Sequence, residues 1–404
     1  MYQNFTVLAV FTFLYSITSG GLARTPINGA VVFLAFGLAV GPMGLGLLNL
    51  EVDAEGLRLL AELTLALVLF TDAAEANLRE LQHSFRIPLG LLAIGLPLTI
   101  LLGFAAGLLL LDGLSWLELA ILATMLAPTD AALGKAVVTD TSVPGSIREA
   151  LNLESGLNDG ICVPVLFLFL ILAADAGIAG DTPTLAVKLV AQAVGIGLIV
   201  GVLVTWLAVR LLRFVNTRGW MSDIWRQTTL PTLAVACFAT AQWLGGSGFI
   251  ACFVGGILFG TLEREGLHSR LLEAEAVGDT LALVTWVVFG AVVVGQGLET
   301  LTWQVVLYSL LSLTLLRMLP VFLALTGSPL GVAEKLFVGW FGPRGLASIV
   351  FAVIVLKENL PGGQTRTDAV VCTIVLSVIF HGLSAHLLIA RLASGLRRPG
   401  HSGE

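Results

Sequence analysis

Charge is scarce in this sequence. Asp, Glu, Lys and Arg make up 12% of its 404 residues, against ~25% in soluble domains. A chain so poor in charge cannot cover a water-exposed globule, and a hydrophobic content of 57% with a mean hydropathy of +0.96 agrees. Cysteine is also sparse: Cys162, Cys237, Cys252 and Cys372 lie far apart within apolar segments. That spacing excludes a disulfide framework and a cysteine metal site, and leaves four small buried hydrophobes. Ten-residue stretches of alternating polarity are missing, which excludes an outer-membrane barrel. Lipid offers no partner to backbone polar groups, so helices are the remaining way across. The fold class is an all-α polytopic membrane protein in the lipid bilayer. No motif asks for a cofactor, and a formal charge of −6 gives no footing for a nucleic-acid partner.

A crossing takes ~20 mostly apolar residues, which divides the chain into about 13 spans. They run over 5–22, 30–48, 57–75, 88–111, 117–138, 150–173, 184–212, 229–246, 248–262, 276–297, 302–326, 334–356 and 367–390. No basic region precedes the first apolar run, so that run reads as a membrane helix rather than a cleaved signal. Alternate loops hold nearly all the basic residues, among them Arg79, Arg86, Arg148, Arg213, Arg218 and Lys335. The opposite side holds only Arg58, Lys357 and Arg366, with Lys188 near an edge. Basic loops stay in the cytoplasm. The expected placement is the plasma (inner) membrane, N-terminus outside and C-terminus inside.

Two spans are interrupted at corresponding places. Ala127-Pro128-Thr129-Asp130 breaks the fifth, and Gly342-Pro343-Arg344-Gly345 breaks the twelfth. Proline removes a backbone donor and clashes with the preceding turn, and matched interruptions in two halves point to a transporter site. Spans four to six then repeat, inverted, as spans eleven to thirteen. Broken helices leave partial charges near the bilayer midplane. Asp130 and Arg344 have the signs needed to compensate them. Thr129 and freed carbonyls are candidate ion ligands.

On span six, Glu154, Ser155, Asn158 and Asp159 fall at i, i+1, i+4 and i+5 and share one helix face. The face offers a carboxylate, a hydroxyl and an amide oxygen, the donor types suited to a hard monovalent cation. Removal from water favours the neutral form of a carboxylate, so proton and cation can compete at Asp159. Arg317, inside span eleven, needs an acid, and Glu154 and Asp159 are both candidates. If Glu154 pairs, Asp159 remains as the titratable carrier. Asp72 and Glu75, at the inner end of span three, face either the cytoplasm or an access funnel. Glu62 has no evident role, Lys135 reads as an interfacial anchor, and His381 and His386 read as interior histidines more than pH modulators.

Taken together, Ala-Pro-Thr-Asp at 127–130, Glu-Ser-Gly-Leu-Asn-Asp-Gly at 154–160 and Gly-Pro-Arg-Gly at 342–345 resemble the core motifs of the monovalent cation/proton antiporters, in the NhaP/sodium–proton exchanger branch. The resemblance implies an NhaA/NhaP-like fold with crossed, unwound helices in spans five and twelve. It also implies a homodimer in which a core moves, elevator-like, against a dimerisation domain. On that plan 1–87 holds dimerisation-side helices, 88–173 the first core repeat, 174–300 a linker helix and further dimerisation-side helices, 301–390 the second core repeat, and 391–404 a short cytoplasmic tail. By motif match Asp159 binds ion and proton beside Thr129, Ser155 and Asp130, with Asn158 next to it. Glu154 and Arg317 form a structural pair, and Arg344 stabilises the crossing. Asn158 before the carrier resembles the electroneutral branch, exchanging one Na+ (or Li+ or K+) for one H+. The chain departs from the family at Phe70-Thr71-Asp72, where Phe-Glu-Gly is common, so a role for a span-three acid does not carry over.

Two other classes compete. Gly245-Gly246-Ser247-Gly248 matches a rhomboid-like serine motif with His381 as a base, although a turn between short helices explains it better. A sodium-coupled organic-anion symporter could use a related inverted-repeat scaffold, but the chain offers dense carboxylates and no second basic site. The reading is a transporter, not an enzyme.

Overall fold

In the computed structural model, described for residues 2–22, 25, 28–48, 54–75, 86–130, 133–175, 182–263, 267–294, 301–356, 358 and 360–396, helices carry the chain and no strand occurs among the described residues. In order they are α1 (Tyr2–Leu22), α2 (Gly29–Val40), α3 (Ala54–Glu75), α4 (Arg86–Leu110), α5 (Trp116–Met125), α6 (Lys135–Thr139), α7 (Gly145–Asp175) and α8 (Thr182–Thr217). There follow α9 (Thr229–Trp243), α10 (Gly248–Leu262), α11 (Leu267–Val288), α12 (Trp303–Ala324), α13 (Val332–Trp340), α14 (Leu346–Leu356) and α15 (Gly363–Leu396). Among the described residues, seven helices have the length and apolarity to cross a bilayer, and shorter apolar ones stand beside them.

Most expected spans coincide with one helix each. Span two is shorter than expected: α2 stops at Val40, because Gly41-Pro42 cannot continue the ladder and the chain folds back until Leu48 N–H reaches the Val40 carbonyl at 2.8 Å. Span five divides into α5 and α6, and span twelve into α13 and α14. α12 bends at Thr314, whose hydroxyl donates to the Leu310 carbonyl one turn back, a local competitor of the helix ladder.

The packing rests on small residues. α3 lies on α10, where Gly256 and Gly260 meet the Phe70 and Ala74 carbonyls with no room for a side chain. In lipid no hydrophobic force pulls helices together, so close backbone approach at small residues has to supply the contact energy. α5 packs between α4 and α7, and α12 against α4, α13 and α15, which sets both broken spans facing α7 or α15.

Two expectations change. Arg366, assigned above to an outer loop, is buried and donates to Glu118 at 3.1 Å. Glu118 closes a capping box with Ser115 at the start of α5 and also accepts the Gly362 N–H at 2.7 Å. A carboxylate so placed needs a cation, and the first turn of α15 supplies it. Glu62, which had no evident role, pairs with Arg58 one turn earlier on α3. The turn reading of Gly245-Gly246-Ser247-Gly248 holds: Ser247 caps α10 by accepting the Ile250 N–H, while the ring nitrogens of His381 face Ser377 and Trp340 rather than Ser247.

Gly260→Ala should lower the melting temperature in detergent by several degrees, since overpacking typically costs about 1–3 kcal/mol. Gly195→Ala, with open space around it, should leave it unchanged or higher. Equal melting temperatures would remove the close α3–α10 contact from the account.

Candidate functional site

Broken helices expose free carbonyls at one end and free N–H groups at the other, and lipid provides nothing to satisfy them. Here each break is answered by the other. Arg344, fully buried, donates through Nη1 to the Ala127 and Pro128 carbonyls at 2.6 and 3.0 Å, beyond the end of α5. Ser348 adds a hydroxyl to the Met125 carbonyl at 2.8 Å. In return, Asp130 Oδ2 accepts the Leu346 N–H at the start of α14 at 2.7 Å, and Oδ1 accepts Leu133 N–H at 3.1 Å. The Asp130 N–H closes the crossing on the Pro343 carbonyl at 2.8 Å. A cation thus sits at a helix C-terminus and an anion at a helix N-terminus, the favourable sign in both cases. Gly345 has to be glycine, because a Cβ there would overlap the Asp130 carboxylate.

Against this crossing lies the polar face of α7. Thr129 Oγ1 is 2.9 Å from Ser155 Oγ and accepts a hydrogen bond from Asn158 Nδ2 at 2.7 Å. Thr129, Ser155, Asn158 and Asp159 are all buried. Two buried acceptors on adjacent residues, Asn158 Oδ1 and Asp159 Oδ1, have no hydrogen-bond partner among the described residues. Asp130 and Asp72 are near enough to act on Asp159 electrostatically. Asp72 reaches this region because α3 packs on α7, its Cβ an ordinary contact distance of 3.5 Å from where a side chain on Gly156 would begin. Pro164, inside α7, has no N–H for the Gly160 carbonyl, so the residue after Asp159 is a further oxygen donor released from the ladder. No group of three or more His, Cys, Asp or Glu side chains fit to hold a metal occurs among the described residues.

The neighbouring charge pair is separate. Arg317 donates through Nη1 and Nη2 to Glu154 Oε1 and Oε2 at 2.6 and 2.7 Å, with both side chains 1% exposed. The bend at Thr314 lies three residues before Arg317, and Gly342 leaves space for the guanidinium, since a Cβ there would come within 2.5 Å of Arg317 Nε.

The structure brings Thr129, Ser155 and Asn158 into one hydrogen-bonded cluster, sets Asp159 next to it on α7, and holds Asp130 and Arg344 in the crossing. Sequence reasoning missed Ser348, Ser377 and Pro164. Of these only Pro164 carried a visible signal, a proline five residues past a buried aspartate.

The sodium/hydrogen exchanger transmembrane family model matches residues 8–391. The chain belongs to the sodium/hydrogen exchanger family. It is similar to the K+/H+ antiporter NhaP2 of Shewanella oneidensis, 24% identical over 390 residues that cover 96% of this chain and 67% of that one. It is likewise similar to the K+/H+ antiporter NhaP of Alkalimonas amylolytica, 27% identical with coverage of 94% and 66%. Na+/H+ antiporter 2 of Zygosaccharomyces rouxii is 25% identical, with coverage of 95% and 52%. The chain thus spans about two thirds of the first two relatives and about half of the third. In fold it resembles the sodium proton antiporter MjNhaP1 from Methanocaldococcus jannaschii, with a TM-score of 0.77, 20% identity, and coverage of 94% of this chain and 98% of that one.

Within this exchanger-family fold the Glu154–Arg317 pair predicts a stability signature. Arg317→Ala leaves a buried carboxylate alone, at about 3–5 kcal/mol, whereas an apolar pair of similar volume is close to neutral. Arg317→Met with Glu154→Leu should therefore melt near the wild-type temperature in detergent, well above Arg317→Ala. A double variant as unstable as the single one would show that the site requires the charges themselves.

Proposed function

We propose that this protein is a secondary antiporter exchanging a monovalent cation for H+. The carrying observation is Asp159 Oδ1, a buried carboxylate oxygen without a hydrogen-bond partner among the described residues, beside the Thr129–Ser155–Asn158 cluster. A neutral carboxyl holds the proton. The ionised form holds the cation, with Ser155 and Thr129 hydroxyls and the Asn158 amide oxygen as neutral donors. Binding of the two is then mutually exclusive, the minimum condition for exchange.

Asp130 is occupied with the α14 N-terminus, and Glu154 is matched by Arg317, so of the acids in the crossing and on the polar face of α7 Asp159 is left to shuttle. That supports a one-for-one, electroneutral cycle. Asp72 acts on Asp159 from α3 and fits a supporting role, raising the local attraction for cations. The transporting body comprises 88–173 and 301–390, and the elevator-like motion is against 1–87 and 174–300 in a homodimer. The chain sits in the plasma membrane with its N-terminus outside. Relatives are named for K+ and for Na+. The oxygen donors suit both, and Na+ is taken first, beside Li+ and K+.

The test uses liposomes with a trapped pH dye and an acidic interior, given Na+, K+ or Li+ outside. Cation-driven alkalinisation of the interior, abolished by Asp159→Asn, is the expected result. No proton movement with any of the three ions would overturn the reading.

Competition fixes the pH dependence. Lowering pH fills Asp159 with protons, so the apparent KM for the cation should rise as pH falls, approaching tenfold per pH unit once the proton form predominates. An imposed membrane potential should leave the initial rate unchanged. A rate that follows the potential would refute one-for-one exchange while leaving antiport intact.

A further inference from the structure

In an unbroken helix the Arg344 N–H would donate to the Trp340 carbonyl, four residues back. α13 ends at Trp340, and the Arg344 N–H turns instead to Ser377 Oγ of α15, at 2.7 Å. His381, one turn further along α15, places Nδ1 3.2 Å from that same Oγ and Nε2 2.9 Å from the Trp340 carbonyl. The two ends of the lost helical bond are therefore joined through two side chains of another helix.

One arrangement of protons carries the path from the Arg344 N–H to the Trp340 carbonyl. Nε2–H donates to the Trp340 carbonyl, Nδ1 accepts the Ser377 hydroxyl proton, and Ser377 Oγ accepts from the Arg344 N–H. The other neutral tautomer would direct a bare Nε2 lone pair at the Trp340 carbonyl. That carbonyl uses its second acceptor position for Gly342 N–H at 2.8 Å. Nδ1 also lies 2.9 Å from the Ser377 carbonyl, one turn back along α15, so the ring meets Ser377 at both its hydroxyl and its carbonyl. Ser377 and His381 are buried, so water does not compete. The ring is flanked by Trp340, whose indole lies tilted by 37° with centroids 5.3 Å apart and donates to Ser384 Oγ at 2.9 Å.

We infer that His381 and Ser377 form a bridge replacing the missing turn of the second broken helix, which makes His381 a positioning residue for Arg344. The bridge holds the backbone from which the Arg344 guanidinium reaches the Ala127 and Pro128 carbonyls. Through them it sets the geometry of Thr129 on the first break. His381 touches neither cation nor transported proton. Its transport consequence rests on the antiport reading above.

The test compares wild type with His381→Ala and His381→Gln, whose terminal amide N–H reaches about as far as Nε2. Cation/proton exchange in proteoliposomes is measured for all three, with Asp159→Asn as the inactive control. His381→Ala should lose about tenfold in kcat, as expected for one lost buried hydrogen bond in the transport cycle, with little change in KM for the cation. His381→Gln should recover most of the rate. A wild-type kcat in His381→Ala, a loss confined to KM, or a folded His381→Gln no better than the alanine variant would overturn the inference. If His381→Ala yields no monodisperse protein, Ser377→Ala against Ser377→Thr asks the same question, and equal rates in those two overturn it. Hydrogen exchange across 341–345 gives a readout independent of transport. The Arg344 amide should exchange slowly in wild type and His381→Gln and faster in His381→Ala. Equal protection overturns the bridge even if antiport holds, and a protected amide without any exchange activity overturns antiport alone.

Discussion

Interrupting a helix inside a bilayer leaves uncompensated backbone charge where the surroundings cannot answer it, and the architecture of this protein follows from the solution. The solution is reciprocal. Arg344 belongs to the second break and serves the first; Asp130 belongs to the first and serves the second. Neither half can be satisfied alone, so the inverted repeats must meet, and must meet crossed. The glycine at 345 follows from the same requirement, since the Asp130 carboxylate occupies the space a side chain would need. Ser348, which donates to the Met125 carbonyl, is a secondary consequence of bringing the start of α14 against the end of α5.

Charge placement then separates scaffold from site. Two buried acids and two buried arginines, Glu154, Asp159, Arg317 and Arg344, sit close together here. Arg317 gives both terminal nitrogens to Glu154, in the bidentate geometry that makes such pairs strong. Had it paired with Asp159, the carboxylate on the open side of α7 would have been locked. The helical offset decides the matter, for Glu154 and Asp159 are five residues apart and therefore point in directions that differ by about 140° on a helix with 3.6 residues per turn. One acid faces α12 and the other does not.

Much of this was legible in the sequence. A proline beside a charge within an apolar run is informative because lipid makes both residues costly, and four polar residues at helical spacing predict a shared face. Which break each charge would serve was not legible, because composition and spacing carry no information on the direction of a side chain across a crossing. Arg366 shows another limit. Counting apolar residues leaves it in a loop, yet it stands in the first turn of α15 and its side chain is buried against Glu118. Counting basic residues by loop gives an expected orientation but does not place the guanidinium. Glu62 looked unexplained only because Arg58, one turn away, had been counted as a loop residue. Ser377 and His381 lie in an ordinary apolar helix, and nothing around them in sequence reports that they face a gap in another helix.

The two breaks solve one backbone problem by different means, and the difference separates their roles. At the second break, the Arg344 N–H and the Trp340 carbonyl are joined through Ser377 and His381, so the lost helical bond is rebuilt from side chains and the segment is held firmly. At the first break, the carbonyls of 127 and 128 rest on a single arginine nitrogen, and the Thr129 hydroxyl is shared with α7 rather than committed to its own backbone. A segment whose polar groups are shared with a neighbouring helix can trade those partners for an ion, whereas one whose polar groups are stitched into a third helix cannot do so without losing its shape. On the antiport reading, the first break is therefore the side that meets the cation and the second is its support, an asymmetry within a repeat whose two halves share one topology.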